Sequence, residues 1–300
     1  MRIDPNMVPN MLAAIQQSES NLNTALQQVS TGKSVTVPSD NPAAAADMVQ
    51  NTIETADVDQ YTQNIGSVTS LVQTADSALS SVVTSLTQAV SLGTEGANGT
   101  NSAANQQAIA TQVQGILNGV VSQANLSYQG AYLFGGTAST TIPYAADTSS
   151  PSGYTYNGNN DVNSVQIGDN TSVQVNLPGS QIFSNSSANV LGSLSSLVTA
   201  LQSGNTAAIG TATNAVSAAL NYVSQQRVVY GNAETQLTSQ ESYLQQETVN
   251  LASQATSLVG VDMAKAATTL SQAETDNNAA LAAAAKVLPN TLLNYLAPPA

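Results

Sequence analysis

The side chains that could do chemistry in this chain are carboxylates, amides and hydroxyls, because it contains no cysteine and no histidine. This composition excludes disulfides, thiol nucleophiles and Cys/His metal sites, and it removes the commonest general base. The 18 acidic residues are scattered and form no pair that would suggest acid–base catalysis. We therefore expect neither enzymatic activity nor a cofactor.

Two short stretches resemble ligand sites at first sight. Asp161 and Asp169 stand among asparagines, which could suggest calcium, but the twelve-residue loop spacing and its closing glutamate are missing. The glycines of Gly130–Gly136 are not followed by the Lys-Ser/Thr pair of a phosphate-binding loop. We interpret the acidic stretch as ordinary turns and expect no metal site.

The formal charge of −13 limits the kinds of molecule that the chain is expected to bind. Only five residues are basic, namely Arg2, Lys33, Arg227, Lys265 and Lys286. Without a basic patch, nucleic-acid binding is not expected. No apolar run is long enough to span a membrane, and Met1–Pro5 leads into polar sequence without the apolar core of a secretory signal. We therefore expect neither membrane insertion nor a cleaved signal peptide.

Because no catalytic or ligand-binding pattern is found, the spacing of the apolar side chains is the more informative feature of the sequence. Between Ile209 and Leu258 every seventh residue is apolar, namely Ile209, Val216, Val223, Tyr230, Leu237, Leu244, Leu251 and Leu258. A strict seven-residue repeat predicts a helix whose apolar seam packs on partner helices. At 1.5 Å per residue this helix would be about 75 Å long, so other helices must cover its stripe.

The rest of the chain can supply those helices. Apolar residues at helical spacing predict them over residues 8–30, 43–92, 103–130, 190–202 and beyond Gly260. From Thr137 to Ser187 the helical period disappears. Alternating residues such as Val165 and Ile167, with turn-forming residues between them, predict a small β-rich insertion there.

Both ends of the chain carry apolar stripes that exceed what one partner helix can cover. We therefore predict an interface between copies of the chain, made of Leu12, Ile15, Leu22, Leu26, Val29, Met263, Leu270, Asn277, Leu281, Leu288 and Leu292. A buried Asn277 could fix helix register, or it could be a solvated residue at an imperfect seam. The sequence leaves both alternatives open.

The loop from Ser30 to Pro42 connects two predicted helices. Gly32 is a natural helix stop, and Asn41 followed by Pro42 predicts an N-cap and first helical residue. A connector is a sufficient physical interpretation. The residues of interest in it are Ser30, Thr31, Gly32, Lys33, Pro38, Ser39, Asp40, Asn41 and Pro42.

The predicted fold class is mainly α: an elongated bundle or coiled coil of long antiparallel helices with a small β-rich insertion. We predict a terminal coiled-coil domain from residues 1–40 with 260–300. A helical rod would comprise 41–137 with 188–259, and the outer β-rich insertion 138–187.

Three stretches match a known family. They are Met1–Ile3 with Val29–Lys33 and Pro38–Ala45, then Gly130–Thr137, and last Leu270–Glu274 through Ala280 to Leu296. On these residues the chain resembles the bacterial flagellin superfamily. It is most similar to the hook–filament junction branch, the hook-associated protein 3 family. The Ser30–Lys33 and Pro38–Pro42 motifs are specific, whereas heptads alone would not be.

The resemblance implies a structural subunit of the bacterial flagellum that self-assembles through its terminal helices, without catalysis. It implies secretion through the flagellar type III export channel and a cytoplasmic export chaperone. It also implies hook-associated protein 1 and flagellin as neighbours along the axis. The terminal helices would line the central channel, and the insertion would face solvent.

Two alternatives stay open at this point. The C-terminal stretch from Val287 to Leu293 is more similar to flagellin proper, the filament subunit. A secreted adhesin-like binding module is an alternative of another class, with residues 138–187 as its recognition surface.

Overall fold

The fold is mainly α, as predicted. The computed structural model describes the backbone of residues 7–296 and the side chains of residues 8–286. Within that part, the helices are α1 (Met7–Thr31), α2 (Pro42–Gly96), α3 (Ala103–Ala124), α4 (Gly179–Ile182), α5 (Val190–Ser203), α6 (Thr206–Val259) and α7 (Met263–Leu296). The strands are β1 (Ser127–Tyr128), β2 (Ala131–Tyr132), β3 (Tyr144–Ala146), β4 (Tyr154–Tyr156), β5 (Ser164–Gly168) and β6 (Thr171–Gln174).

Helix α6 is the long helix predicted from the seven-residue repeat. The repeat residues from Ile209 to Leu251 are all buried, and Leu258 is half-buried. The matching row of α2, from Val58 to Leu86, is buried as well. A seven-residue repeat keeps the apolar side chains along one edge of a helix, so two such helices can bury each other's apolar rows.

Helices α2 and α6 run antiparallel. The Gln73 side-chain amide donates to Glu234 at 3.1 Å. Further along α2, the guanidinium of Arg227 donates two bonds of 2.8 Å to Asp76. This paired geometry raises the pKa of Arg227, and the main cause is the hydrogen bonding of its guanidinium to the Asp76 carboxylate. Residue numbers therefore increase along α2 in the direction in which they decrease along α6.

The strands form three separate antiparallel hairpins, β1–β2, β3–β4 and β5–β6. The last two confirm the β-rich insertion. The first hairpin was not predicted, because the third helix was expected to continue to about residue 130 but ends at Ala124. Its turn places both Gln129 and Gly130 at positive φ. Glutamine rarely adopts this conformation, so nothing in its residue type signalled the turn.

An aromatic cluster includes residues of the β3–β4 hairpin. Phe134 meets Phe183 edge to face at 5.3 Å, and the rings of Tyr144 and Tyr156 are 5.2 Å apart. Burial raises the pKa of the Tyr144 hydroxyl, because the charged form would lose its water. Gly136 has φ 71°, and a Cβ there would collide with Asn159. The Gly130–Thr137 motif thus contains, at Gly136, a position that only glycine fits.

Contacts divide the chain into two units. The first, here called the terminal unit, is Met1–Asp57 with Glu247–Ala300, and the second, the central unit, is Val58–Gln246. Helices α2 and α6 contribute to both units. The three-part division drawn from the sequence stays a prediction.

Candidate assembly interface

In the terminal unit, α1 and α7 pack along a seam of small side chains. Ala25 of α1 is buried there, as are Ala266, Ala273 and Ala284 of α7. Alanine favours the helix and adds little bulk, so the two helices can approach closely. A seam of this kind is narrow, and it leaves larger side chains on its flanks.

Backbone hydrogen bonds hold one end of this helix pair. The Ser34 N–H donates to the Val259 carbonyl at 2.7 Å, and the Val261 N–H donates to the Gly32 carbonyl at 3.1 Å. Lys33 and Gly260 thereby form an antiparallel bridge. Gly32 ends α1 at φ 69°, which confirms the predicted helix stop. Since α1 ends and α7 begins at this bridge, the two helices run antiparallel.

The large apolar residues of the predicted interface are not what fills the seam. Leu12, Leu26, Met263 and Leu281 remain between 44% and 56% exposed. Their neighbours along the stripes are half-buried, namely Ile15, Leu22, Val29 and Leu270. Leu288 and Leu292 lie outside the described side chains. Pairing α1 with α7 therefore leaves apolar surface uncovered, while a role in assembly stays a prediction for each of these residues.

The exposed residues share one flank of the helix pair. Leu12 and Leu26 are two heptads apart on α1, and Met263 and Leu281 are about five helical turns apart on α7. The other flank is a groove of about 590 Å³ lined mainly by polar residues, including Ser18, Asn21, Thr24, Gln28, Gln272 and Asp276. The α1–α7 pair thus has one apolar face and one polar face.

Asn277 lies in the seam between α1 and α7. It is half-buried, and its Oδ1 is buried without a hydrogen-bond partner, as is the Oγ of Ser18. Counting equal numbers of residues from the Lys33–Gly260 bridge places Ser18 and Asn277 at nearly the same level. The position favours a seam residue over a solvated one, and its effect on register stays a prediction.

The Ser30–Pro42 loop is ordered by its own side chains. Asp40 accepts hydrogen bonds from the backbone N–H groups of Val37 at 3.1 Å and Thr36 at 3.0 Å, and from the Thr36 hydroxyl. These bonds, that of Val37 foremost, lower the pKa of the Asp40 carboxyl. Asn41 Oδ1 accepts from the Ala44 N–H at 3.2 Å, and α2 begins at Pro42. The predicted N-cap and first helical residue are therefore confirmed.

The remaining loop residues stay at the surface. The hydroxyls of Ser30 and Thr31 donate to the Gln27 carbonyl in the last turn of α1. Lys33, Pro38 and Ser39 are exposed. The loop as described is a connector held by local hydrogen bonds, which agrees with the plainer interpretation of its sequence.

One buried residue of this unit was missed by the sequence analysis. Asn51 is 3% exposed, and its side chain donates to the Leu251 carbonyl at 3.0 Å and to Gln254 at 3.2 Å. Asn51 stands one heptad before Val58, in the same row. Extending that row by seven residues would have placed it against α6.

The arrangement offers surfaces for packing. The described part of the chain contains no group of three or more acidic residues able to hold a metal ion. Asp169 lies in the turn between β5 and β6, as expected from the sequence, and its carboxylate accepts a hydrogen bond of 3.1 Å from the Tyr61 hydroxyl. Among the described helices, none is at once long enough and apolar enough for a bilayer crossing.

Two family models match the chain. The N-terminal helical region of bacterial flagellin matches residues 5–139, and the C-terminal helical region of bacterial flagellin matches residues 213–296. Together these matches cover more than half of the chain. They include both helices of the α1–α7 pair.

Two relatives carry the same name. Flagellar hook-associated protein 3 of Salmonella typhimurium is 29% identical over 193 residues, which are 64% of this chain and 59% of that protein. Flagellar hook-associated protein 3 of Escherichia coli is 30% identical over 166 residues, which are 55% of this chain and 51% of that protein. The chain therefore matches less than two thirds of the length of these relatives.

The fold is also similar to a solved structure. A flagellar hook-associated protein from Vibrio parahaemolyticus superimposes with a TM-score of 0.67 at 20% identity, over 73% of this chain and 99% of that chain. At this level of identity the similarity concerns the fold alone.

Proposed function

The chain belongs to the bacterial flagellin family, and we propose that it is the structural subunit that joins the hook to the filament of a bacterial flagellum. The name shared by the two relatives supports the junction over the filament proper. In this proposal the chain acts by packing against its neighbours and catalyses no reaction.

The observation that carries the proposal is the apolar face of the α1–α7 pair. Leu12, Leu26, Met263 and Leu281 stay exposed although their helices are already paired. Fully burying an exposed leucine contributes roughly 1.5–3 kcal/mol, so covering the remaining half of one such side chain contributes about 1 kcal/mol. A second copy of the chain supplies the same kind of face, so a ring or helical array of copies would cover these side chains.

The proposal also names the neighbours of the subunit in the flagellum and the pathway by which it is exported from the cell. Hook-associated protein 1 would lie on its hook side and flagellin on its filament side. The chain would leave the cell by flagellar export without a cleaved signal peptide and would be held in the cytoplasm by an export chaperone. Its place would then be the extracellular part of the flagellum.

Deletion of the gene in the bacterium that produces this chain tests the proposal. We expect bare hooks, with flagellin released into the medium, because the filament would have no base to grow on. The full chain should restore filaments when it is supplied again. Filaments of normal length without it would contradict a junction function.

A truncation separates assembly from folding. A chain without residues 1–30 lacks most of α1 and should stay a soluble helical protein while failing to restore filaments. Copy number separates the junction from the filament: a junction subunit should be scarce in isolated flagella, and a filament subunit should be their main component. An abundant chain would favour flagellin proper.

A further inference from the structure

Three Asn-Gly pairs occur in the chain, and the structure places them in different surroundings. They are Asn98–Gly99, Asn118–Gly119 and Asn157–Gly158. An asparagine followed by glycine is open to deamidation, because a glycine without a Cβ lets its backbone nitrogen approach the preceding side-chain amide. By residue type alone the three pairs are equivalent, so any difference in their reactivity must come from the fold.

Deamidation at such a pair is an acyl transfer within the chain. The glycine nitrogen forms a bond to the side-chain Cγ of the asparagine, and the π electrons of the carbonyl move onto Oδ1. The tetrahedral intermediate collapses to a cyclic succinimide, and the Nδ2 group leaves as ammonia with the proton that the glycine nitrogen gives up. Water then opens the ring at either carbonyl, which leaves an aspartate or an isoaspartate. The sum consumes one water and releases one ammonia.

Asn98 lies in the turn between α2 and α3, where both it and Gly99 are exposed. Its Oδ1 accepts hydrogen bonds from the backbone N–H of Thr100 at 3.2 Å and from the Thr100 hydroxyl at 3.0 Å. This Asx turn folds the side chain back along the Gly99 peptide. Among the described hydrogen bonds none is donated by the Gly99 N–H, so the attacking nitrogen has no acceptor to give up.

The two bonds from Thr100 are directed at the oxygen on which negative charge develops during the attack. Donors placed in this way stabilise a tetrahedral intermediate, as those of an oxyanion hole do. The space that a Cβ on Gly99 would occupy has no neighbouring atom within 4 Å. The turn therefore has room to rearrange as the ring closes.

The second pair is held inside a helix. Asn118 and Gly119 lie in the interior of α3, where each backbone N–H bonds the carbonyl four residues earlier. The Asn118 Oδ1 also accepts from the Gln114 amide and the Tyr154 hydroxyl, both at 3.2 Å. Ring closure at this pair would break a helical turn and both side-chain bonds.

The third pair follows β4 and is fixed on both sides. The Asn157 N–H donates to the Pro143 carbonyl at 2.8 Å. The Asn159 N–H donates to the Gly135 carbonyl at 3.1 Å. Gly158 is packed so closely between these bonds that a Cβ there would collide with the Gly135 carbonyl. The backbone at this pair therefore cannot turn into the ring without losing its neighbours.

We propose that Asn98 is a site of spontaneous deamidation in the folded chain, promoted by the two hydrogen bonds from Thr100. The reaction replaces a neutral amide by a carboxylate just beyond the end of α2, three residues after Glu95. The C-terminal end of a helix carries partial negative charge, so the product is less favourable there than the amide. The inference does not depend on the function proposed above.

Incubation of the purified full chain in mildly alkaline buffer, followed by digestion and mass spectrometry, tests the proposal. Exchange of an amide NH2 for OH makes the peptide one mass unit heavier. We expect the peptide with Asn98 to gain this mass at least about tenfold faster than those with Asn118 and Asn157. In concentrated urea, where the fold is lost, the three should react at similar rates. An unmodified Asn98, or equal rates in the folded chain, would overturn the proposal.

Two variants test the turn itself. Gly99→Ala should fold normally, because its Cβ meets open space, and should slow the reaction about tenfold or more, because that Cβ hinders the nitrogen. Thr100→Val loses the hydroxyl but keeps the N–H, and should slow it about two- to tenfold. Thr111→Val is the matched control, since that hydroxyl bonds only its own helix, and should leave the rate unchanged. An unchanged rate in Gly99→Ala or Thr100→Val would overturn the proposal.

Discussion

The side-chain amide of Asn51 donates a hydrogen bond of 3.0 Å to the backbone carbonyl of Leu251, across 200 positions of sequence. It is a polar contact inside a mainly apolar seam. The same amide reaches Gln254, so one residue of α2 holds two positions of α6. Asn51 therefore aligns the two helices in the terminal unit.

Replacing Asn51 by aspartate should reveal this alignment. Asn51→Asp removes the donor and sets a buried carboxylate against two oxygen acceptors, so we expect the free energy of unfolding to fall by about 2–4 kcal/mol at neutral pH. The buried site raises the pKa of this new carboxyl above its unfolded value of about 4, so the loss should shrink as the pH falls through the raised value and be smallest below about pH 4. Urea unfolding at both pH values measures it. Gln50→Glu, at an exposed position of the same helix, is the control and should change little.

Leu79 tests the core of the central unit. Its side chain is fully buried in the seam of α2. Leu79→Asp should abolish cooperative folding of this unit, because an uncompensated charge in an apolar core costs more than about 4 kcal/mol. Leu79→Ala should keep the fold and lose about 2–5 kcal/mol. Thermal melting followed by circular dichroism distinguishes the two variants. Val228→Asp, at an exposed position of α6, is the control and should leave the melting curve unchanged. An unchanged melting curve for Leu79→Asp would contradict the burial of this row.

Two adjacent residues of α1 should respond in opposite ways. Leu26 is exposed and Ala25 is buried. Leu26→Ser should leave the free energy of unfolding within about 0.5 kcal/mol of the original yet lower incorporation into flagella. Ala25→Leu should destabilise the monomer by about 1–3 kcal/mol, because it overfills the α1–α7 seam. Melting curves and the amount of chain in isolated flagella measure both, and full incorporation of Leu26→Ser would count against the apolar face.

Asp40 should make the Ser30–Pro42 loop sensitive to acid. Hydrogen bonds to its carboxylate lower its pKa in the folded chain, so its contribution is present above the unfolded pKa of about 4 and is lost as the pH falls through the lower folded value. Amide NMR signals of Thr36 and Val37 should shift together in that acidic range. Asp40→Asn should remove this titration. A midpoint above about 4 would contradict the bonding found here.

Much of the fold follows from sequence because its helices obey local rules. The seven-residue repeat of α6 and the heptad row of α2 identify buried residues in advance, since helix geometry places every seventh side chain on one edge. Gly32 and the Asn41–Pro42 pair mark helix ends for equally local reasons, namely the conformations that these residues favour. Position along the chain is enough for such statements.

Other features depend on residues that are far apart in sequence. The hairpin after α3, the bridge between Lys33 and Gly260 and the bonds of Asn51 require partners that no local pattern specifies. The same holds for the α1–α7 seam. The sequence alone determined that both chain ends carry apolar stripes, because that is a matter of spacing. Only the tertiary structure decided which side chains face the partner helix: the alanines meet in the seam, and Leu12, Leu26, Met263 and Leu281 stay outside because the closely packed helices leave them no room between them.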